Sequence, residues 1–357
     1  MSPIHRPART RKYEATFLPG LRYALADEIR STLPRATEPI PVPGRNDALA
    51  FAYPGPTTDL RRLRTAVAAF LVLRFGIAKP ASLLRRENLR RIADAAEALA
   101  RQCHDDPPRS FRIEAAGSDS AVFRRIAEDL ASATGLPYRR HNGDLVVRVR
   151  RSPDADGWDV LVRTTTRPLS ARRWRVADYP GAANATIAAA IAQTVPDRPR
   201  VLNLMCGSGT LLIERLLHSG TRESVGVDHD EAAILACKAN LNAANLTGRA
   251  QLLTADITEP GLLKGRKFDA ILADPPWGTI TGSHATNGAL YEHLLTAARN
   301  LAAPQARLTV LTHEIRLMER LLPRFRSDWR VEEVHKVFQK GHHPRIYVLG
   351  AIGPKTK

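Results

Sequence analysis

From residue 183 to the C-terminus the sequence alternates strand and helix, and this order constrains the fold more than any other feature. Apolar strand runs at Arg200 to Met205, Ser224 to Asp228, Arg249 to Asp256, Phe268 to Asp274 and Arg307 to His313 are separated by helical periodicity at about 208–219, 230–244 and 288–302. Between the third and fourth strands, TEPGLLKGRK holds only a turn or two. Strands joined through helices run parallel, with helices on both faces of the sheet. The end of the chain departs from that rule. Arg330 to Gln339 and Pro344 to Ile352 read as strands, and Lys340-Gly341-His342-His343 between them is too short for a crossover helix. The last two strands are therefore expected as an antiparallel hairpin added to a doubly wound parallel sheet.

The first strand-to-helix turn of this region carries the sequence VLNLMCGSGTLLIE. The strand ends at Met205 and the helix begins near Ser208, with Gly207 and Gly209 in the turn. Glycines there let the backbone approach a ligand, and a helix start offers N–H groups to an anion. Such a turn alone is shared by many nucleotide-binding folds. The next strand, however, ends in Asp228, placed to bind both hydroxyls of a ribose. The third ends in Asp256, where the carboxylate or adjacent backbone can bond an adenine amine while Ile257 covers the ring. Three neighbouring strand ends thus supply pieces of one nucleoside site.

The fourth strand ends in Asp274-Pro275-Pro276-Trp277-Gly278. An exocyclic purine amine is a poor nucleophile because its lone pair is delocalised into the ring. The Asp274 side chain and the Asp274 or Pro275 carbonyl can accept its two N–H bonds and hold the lone pair toward an electrophile. Consecutive prolines fix φ and remove N–H donors, which restricts those carbonyls. Trp277 offers a flat face for a base flipped out of its helix. The stretch TITGSHATNG that follows is read as a lid. His284 and Tyr291 nearby are read as loop or packing residues.

The front half has a different character. A strand at Tyr13 to Phe17, a helix over LRYALADEIRSTL, a strand around Leu49 to Tyr53 and a helix from Thr58 to about Phe70 make a small α+β module. A second module has helices at Ala93 to Gln102 and Ser120 to Thr134, and strands at Ser110 to Ala115, Leu145 to Arg150 and Trp158 to Thr164. In the strand LVVRVRR, Arg148 and Arg150 share one face, read as charged against an apolar core face. The net charge of +17 is concentrated here: residues 1–182 carry 32 Lys+Arg against 20 Asp+Glu, and residues 183–357 carry 21 against 16. Arginine dominates, and its planar guanidinium suits phosphate, so a polyanionic partner is expected. Residues 166–181, TRPLSARRWRVADYPG, read as an ordered linker, either a solvated connector or an RNA contact.

Three cysteines without CxxC spacing suggest neither a disulfide framework nor a zinc site, so no metal is expected. The basic start has no signal-peptide core, and no apolar run reaches membrane-spanning length; the run Ala185 to Val195 is too short. A cytoplasmic monomer without membrane attachment is expected.

With these residues in view, the C-terminal region resembles the class I S-adenosylmethionine methyltransferases, which implies a Rossmann-like seven-stranded domain over 183–357. The resemblance places the segment Asn184 to Thr186, with Thr186 as the candidate contact, near the methionine end of the cofactor. Asn203, Met205, Cys206, Gly207, Ser208, Gly209, Thr210, Asp228, His229, Asp256, Ile257 and Asp274 fall on its other cofactor positions. Many members have an acid where this chain has Asn203, which bonds without attracting the ammonium group. Asp274-Pro275-Pro276-Trp277 resembles the [Asp/Asn]-Pro-Pro-aromatic signature of methyltransferases acting on adenine N6, guanine N2 or glutamine N5.

The front half, with FRIEAAGSDSAVFRRIAEDL and LVVRVRRSPDADGWDVLV, looks like a ferredoxin-like domain (1–80), a THUMP domain (81–165) and a linker (166–182). That order resembles the tRNA guanine-N2 methyltransferases of the acceptor stem and implies tRNA as the partner. Ribosomal RNA guanine, DNA adenine and a non-catalytic RNA-binding role are the alternatives.

Overall fold

The computed structural model describes residues 10–197, 199–276, 284–339 and 341–353. The chain forms two compact units, one of residues 1–17 and 22–171 and the other of residues 18–21 and 172–357.

The first unit is built on strands β1 (Arg11–Thr16), β2 (Ile40–Pro41), β3 (Ala48–Tyr53), β4 (Ala68–Phe75), β5 (Phe111–Ala115), β6 (Leu145–Arg151) and β7 (Trp158–Arg163), with helices α1 (Arg22–Thr32), α2 (Arg86–Gln102) and α3 (Ala121–Thr134). Its strands form one sheet in the order β2-β3-β1-β4-β7-β6-β5. The sheet crosses residue 80, because β4 pairs antiparallel with β7 from Phe70 opposite Arg163 to Phe75 opposite Trp158.

One reading of this unit is corrected. The helix expected from Thr58 to Phe70 is a short 3-10 turn over Thr57–Arg62, followed by strand β4. The run AAFLVL is apolar throughout, so it carries no period that separates a strand from a helix. In the fold Ala69 and Leu71 enter the main core, while Ala68 and Phe70 join Val146 and Leu161 in a small cluster on the other face. In β6 Leu145, Val147 and Val149 enter the core and Arg148 and Arg150 share the other face, as read from the sequence. Arg148 donates to Glu114 at 2.9 Å and its guanidinium lies 4.7 Å from the centre of the Phe70 ring. Arg150 and Arg45 both pair with Glu14, which is 1% exposed. These arginines pair with carboxylates of the sheet and keep part of their side chains exposed.

The second unit contains helix α4 (Ala185–Gln193), strand β8 (Arg200–Leu204), α5 (Thr210–His218), β9 (Glu223–Asp228), α6 (Glu231–Ala243), β10 (Gln251–Thr254), β11 (Phe268–Ala273), α7 (His284–Leu301), β12 (Ala302–Thr312), α8 (Ile315–Leu321), β13 (Trp329–Lys336) and β14 (Arg345–Ala351). Its seven-stranded sheet has the order β10-β9-β8-β11-β12-β14-β13. β8 to β12 run parallel, and β14 pairs antiparallel with both β12 and β13. This is the alternating sheet with a terminal hairpin expected from the sequence. Helix α8 was not anticipated, and α7 begins at His284, so the second half of the expected lid is helical.

Strand order positions the site. From β8 the chain moves outward through β9 and β10, then returns to β11 on the other side of β8. Such a reversal opens a crevice at the carboxyl ends of the strands. Leu204 lies opposite both Val227 and Ala273, so Met205, Asp228 and Asp274 leave the sheet at the same level.

Candidate active site

A cavity of about 510 Å³ occupies that crevice, within the size range of small-molecule sites. Its walls come from the carboxyl ends of β8, β9, β10 and β11, the start of α5, the segment before α4, and α7. Met205, Cys206, Gly207, Ser208, Thr210, Asp228, His229, Asp256, Ile257, Asp274, Pro275 and Pro276 all line it. Residues up to 71 positions apart in sequence therefore meet on one surface, because the parallel sheet delivers each to the same edge.

The glycine-rich turn is shaped by backbone geometry that side chains resist. Gly209 caps α5 at φ 84, and a Cβ there would lie 2.4 Å from Sγ of Cys237. Only glycine satisfies both conditions. Met205, just before the turn, takes φ 50 despite its side chain, a strain of order 1–3 kcal/mol of the kind found at ligand sites. The first-turn N–H groups of α5 have no partners within the helix and flank the cavity through Thr210 and Leu211. Ser208 is buried on the cavity wall, and its Oγ has no hydrogen-bond partner among the described residues.

Asp228 is 6% exposed, and its Oδ2 accepts a hydrogen bond from the Gly207 N–H at 2.8 Å. Oδ1 accepts from the Asp230 N–H at 3.1 Å. The second strand end thus grips the turn after the first strand, and each oxygen keeps a lone pair for a ribose hydroxyl. Asp256 accepts through Oδ1 from the Thr258 N–H and hydroxyl, both at 2.8 Å. The backbone N–H, then the hydroxyl, hold its carboxyl below the usual carboxylate range.

Sequence reasoning missed one wall. Residues 172–183, of which 172–182 were read as linker, belong to the second unit and lie against the glycine-rich turn, with Tyr179, Pro180, Gly181, Ala182 and Ala183 lining the cavity. This strap is pinned at several points. Arg172 pairs with Glu214 of α5 at 2.7 Å, with side-chain exposures of 7% and 0%. Arg175 donates to the Ala183 carbonyl and to Oγ1 of Thr210, each at 2.8 Å. Asn240 of α6 accepts from the N–H groups of Val176 and Ala177 at 2.9 Å and donates to the carbonyls of Ala177 and Ser208. The Tyr179 hydroxyl donates to Oδ2 of Asp230 at 2.7 Å, and burial with this carboxylate pushes the phenol pKa up. The Arg- and aromatic-rich composition was visible; its long-range partners were not.

The remaining wall carries Asp274, Pro275 and Pro276, with Asn287 and Leu290 of α7. Trp277 and the side chain of His284 lie outside the described residues. Tyr291 is fully buried and shares a 2.6 Å hydrogen bond with Oγ1 of Thr312, which makes it a packing residue, as read from the sequence. Thr186, Asn203 and Gly209 do not line the cavity. Thr186 is buried at the start of α4, where Asn184 caps its N–H. Asn203 is 1% exposed inside β8 and donates to the Leu272 carbonyl at 3.1 Å, with Oδ1 left unpartnered among the described residues.

At the end of β12, burial, reinforced by His342 and His343, pushes the His313 imidazole down to about 4. A depressed pKa means the unfolded chain binds more protons than the native state as pH falls from about 6.5 toward 4. Stability is therefore complete above about 6.5 and declines through that window. With its partial exposure discounted, His313→Asn should remove on the order of 1–2 kcal/mol of this decline. Urea titrations of wild type and variant at pH 7 and pH 4.5 measure it; parallel losses would exclude His313 as the source.

A 3-2-1-4-5-7-6 strand order, a glycine-rich turn held by the acid of the next strand, and Asp-Pro-Pro at the fourth strand end together define a class I methyltransferase. Comparisons with known proteins agree. Residues 172–345 match the family described as RMKL-like, methyltransferase domain. A tRNA (guanine(6)-N2)-methyltransferase of Thermus thermophilus is 31% identical over 252 residues, covering 67% of this chain and 72% of that one. A tRNA (guanine(6)-N2)-methyltransferase of Methanocaldococcus jannaschii is 24% identical over 292 residues, covering 65% and 76%. The crystal structure of TrmN from Thermus thermophilus superimposes with a TM-score of 0.74 at 26% identity, over 96% of this chain and all of that one. The chain belongs to the methyltransferase family of these relatives.

Among the described residues, no group of three His, Cys, Asp or Glu is placed to hold a metal, and no helix is long and apolar enough to cross a membrane.

Proposed function

We propose that this protein methylates the exocyclic N2 amine of a guanosine in tRNA, using S-adenosylmethionine. The observation that carries the reading is the single cavity joining the nucleoside-binding strand ends to Asp274-Pro275-Pro276. The residues fit the cofactor: Asp228 suits a ribose, Asp256 and Ile257 suit an adenine, and Ser208 with the start of α5 offers polar groups to the methionine end. The cofactor supplies an electrophilic methyl group. The protein holds the amine for in-line attack, with Asp274 and the Pro275 carbonyl accepting its N–H bonds and leaving the lone pair toward the methyl carbon. Bringing the two atoms into contact lowers the barrier of such a transfer, by up to about 7–11 kcal/mol in well-oriented cases.

The front unit is read as the ferredoxin-like and THUMP modules that bind tRNA. Residues 1–171 carry 29 Lys+Arg against 19 Asp+Glu, an excess of 10 positive charges suited to phosphate contacts that position without reading sequence. Arg85, Arg86 and Arg90 are exposed around the start of α2, the end of a helix where cations are disfavoured. A cluster kept there against that cost suits an anionic partner. On this reading the chain works as a cytoplasmic monomer on the acceptor stem, and guanosine 6, named for both relatives, is the first position to map.

The test is transfer of labelled methyl from S-adenosylmethionine to unmodified tRNA, with ribosomal RNA and DNA in parallel and nucleoside analysis of the products. N2-methylguanosine in tRNA is expected; label in ribosomal RNA or DNA replaces the substrate, and no label replaces the enzyme by a binding protein. A second measurement addresses the cofactor site. Asp228→Ala should raise the Kd for S-adenosylmethionine by about a hundredfold or more, since two charge-assisted hydrogen bonds are each worth about 1.5–3 kcal/mol. Calorimetry giving a Kd within threefold of wild type would move the ribose elsewhere.

A further inference from the structure

We infer that Asn287 reads the edge of the target base and selects guanine over bases that carry the same amine without a neighbouring N–H donor. The inference rests on the reading of the site as a guanine N2 methyltransferase. Asn287 lies in the first turn of α7, is 1% exposed, and lines the cavity that also contains Asp274, Pro275 and Pro276. Its Nδ2 donates to Oε1 of Glu314 at 3.0 Å and to the carbonyl of Pro276 at 3.4 Å. Both partners only accept when Glu314 is ionised, so turning the amide over would set an oxygen against two oxygens. The network therefore fixes which end of the amide remains for a ligand. That end is Oδ1, a buried acceptor with no partner among the described residues. Buried unpaired acceptors are rare in native proteins and ask for an explanation.

Guanine supplies one. Its N2 amine adjoins N1–H, so the reacting group and its neighbour both donate. With the amine held by Asp274 and the Pro275 carbonyl, the N1–H bond is the next donor along the edge, and Oδ1 of Asn287 accepts it. Adenine presents a lone pair at N1 beside its N6 amine, which would face Oδ1 acceptor to acceptor. The reader is held on regular structure: the Glu314 N–H donates to Oγ1 of Thr312 at 2.9 Å, which in turn bonds the buried Tyr291 hydroxyl. A polar site of this kind rejects an analogue that lacks the matching donor far more strongly than an apolar pocket does.

The experiment compares tRNA carrying guanine at the target nucleotide with tRNA carrying 2-aminopurine, which keeps the 2-amino group but has no N1–H. Wild type is expected to favour guanine in kcat/KM by on the order of tenfold to a hundredfold. In Asn287→Ala that preference should fall to about threefold or less, because neither base then meets a fixed acceptor. In Glu314→Gln the new amide both donates and accepts, so Asn287 can turn over, and the preference should fall part of the way. Melting curves identify which variants fold, and either folded variant carries the test. An unchanged preference in a folded Asn287→Ala, or equal use of the two bases by wild type, overturns the inference and leaves the methyltransferase reading intact. Absence of N2-methylguanosine from the wild-type reaction overturns the substrate reading itself, and this inference with it.

Discussion

Asp274→Ala is expected to lower methyl transfer to tRNA at least about a hundredfold, a loss of about 3 kcal/mol or more of transition-state stabilisation. Affinity for tRNA and for S-adenosylmethionine should stay within about threefold of wild type, because the interaction removed matters chiefly at the transferring nitrogen. On the proposed reading, phosphate contacts fall to other residues, and the ribose and adenine to Asp228, Asp256 and Ile257, which line the cavity beside Asp274. The variant separates this role from a structural one, since Asp274 follows β11 at the cavity edge and is only half-buried. Single-turnover transfer with saturating enzyme measures it directly. A rate within tenfold of wild type would take Asp274 out of the chemistry, and equal losses in cofactor binding would make it a scaffold for the cavity.

The second large effect is on the strap. Glu214→Ala leaves the Arg172 guanidinium, 7% exposed, without the carboxylate that faces it. Removing one partner of a buried ion pair costs about 3–5 kcal/mol. For a unit of this size that corresponds to a fall in Tm on the order of 10 °C. Since the strap forms one wall of the cavity, S-adenosylmethionine should also bind on the order of tenfold more weakly, through Tyr179 to Ala183 rather than through any contact of Glu214 itself. Calorimetric scans with and without cofactor read both effects. The double substitution Arg172→Met with Glu214→Leu should restore most of the melting temperature, because replacing both members of a buried pair by apolar groups is often neutral. A Glu214→Ala protein melting within 2 °C of wild type would show that the strap is held by Arg175, Tyr179 and Asn240 without the ion pair.

Much of the catalytic unit was legible in the sequence because its signals are local. Alternating strand and helix periods, a hairpin loop too short for a crossover, glycines in the first turn and acids at strand ends follow from the geometry of short segments. Those signals located Asp228, Asp256 and Asp274, and the sheet brings all three to one cavity. The front unit was less legible. Strand β4 is buried on both faces, so its apolar run lacks the alternation that marks a half-exposed strand. Arg148 and Arg150 read as a charged face, but their carboxylate partners Glu114 and Glu14 lie 34 and 136 positions away.

The sequence by itself determined the strand–helix order, the antiparallel ending, the turn that admits a ligand and the Asp-Pro-Pro that would hold an amine, since each depends on residues close together in the chain. Tertiary structure alone decided that residues 179–183 wall the cavity beside the glycine-rich turn, and that Asn287 stands beside Pro276 with its amide fixed by Glu314. It also decided that Asn203 lies within the sheet rather than on the cavity wall. These outcomes depend on which strands become neighbours and how buried polar groups find partners, and such contacts are satisfied only once distant segments have packed.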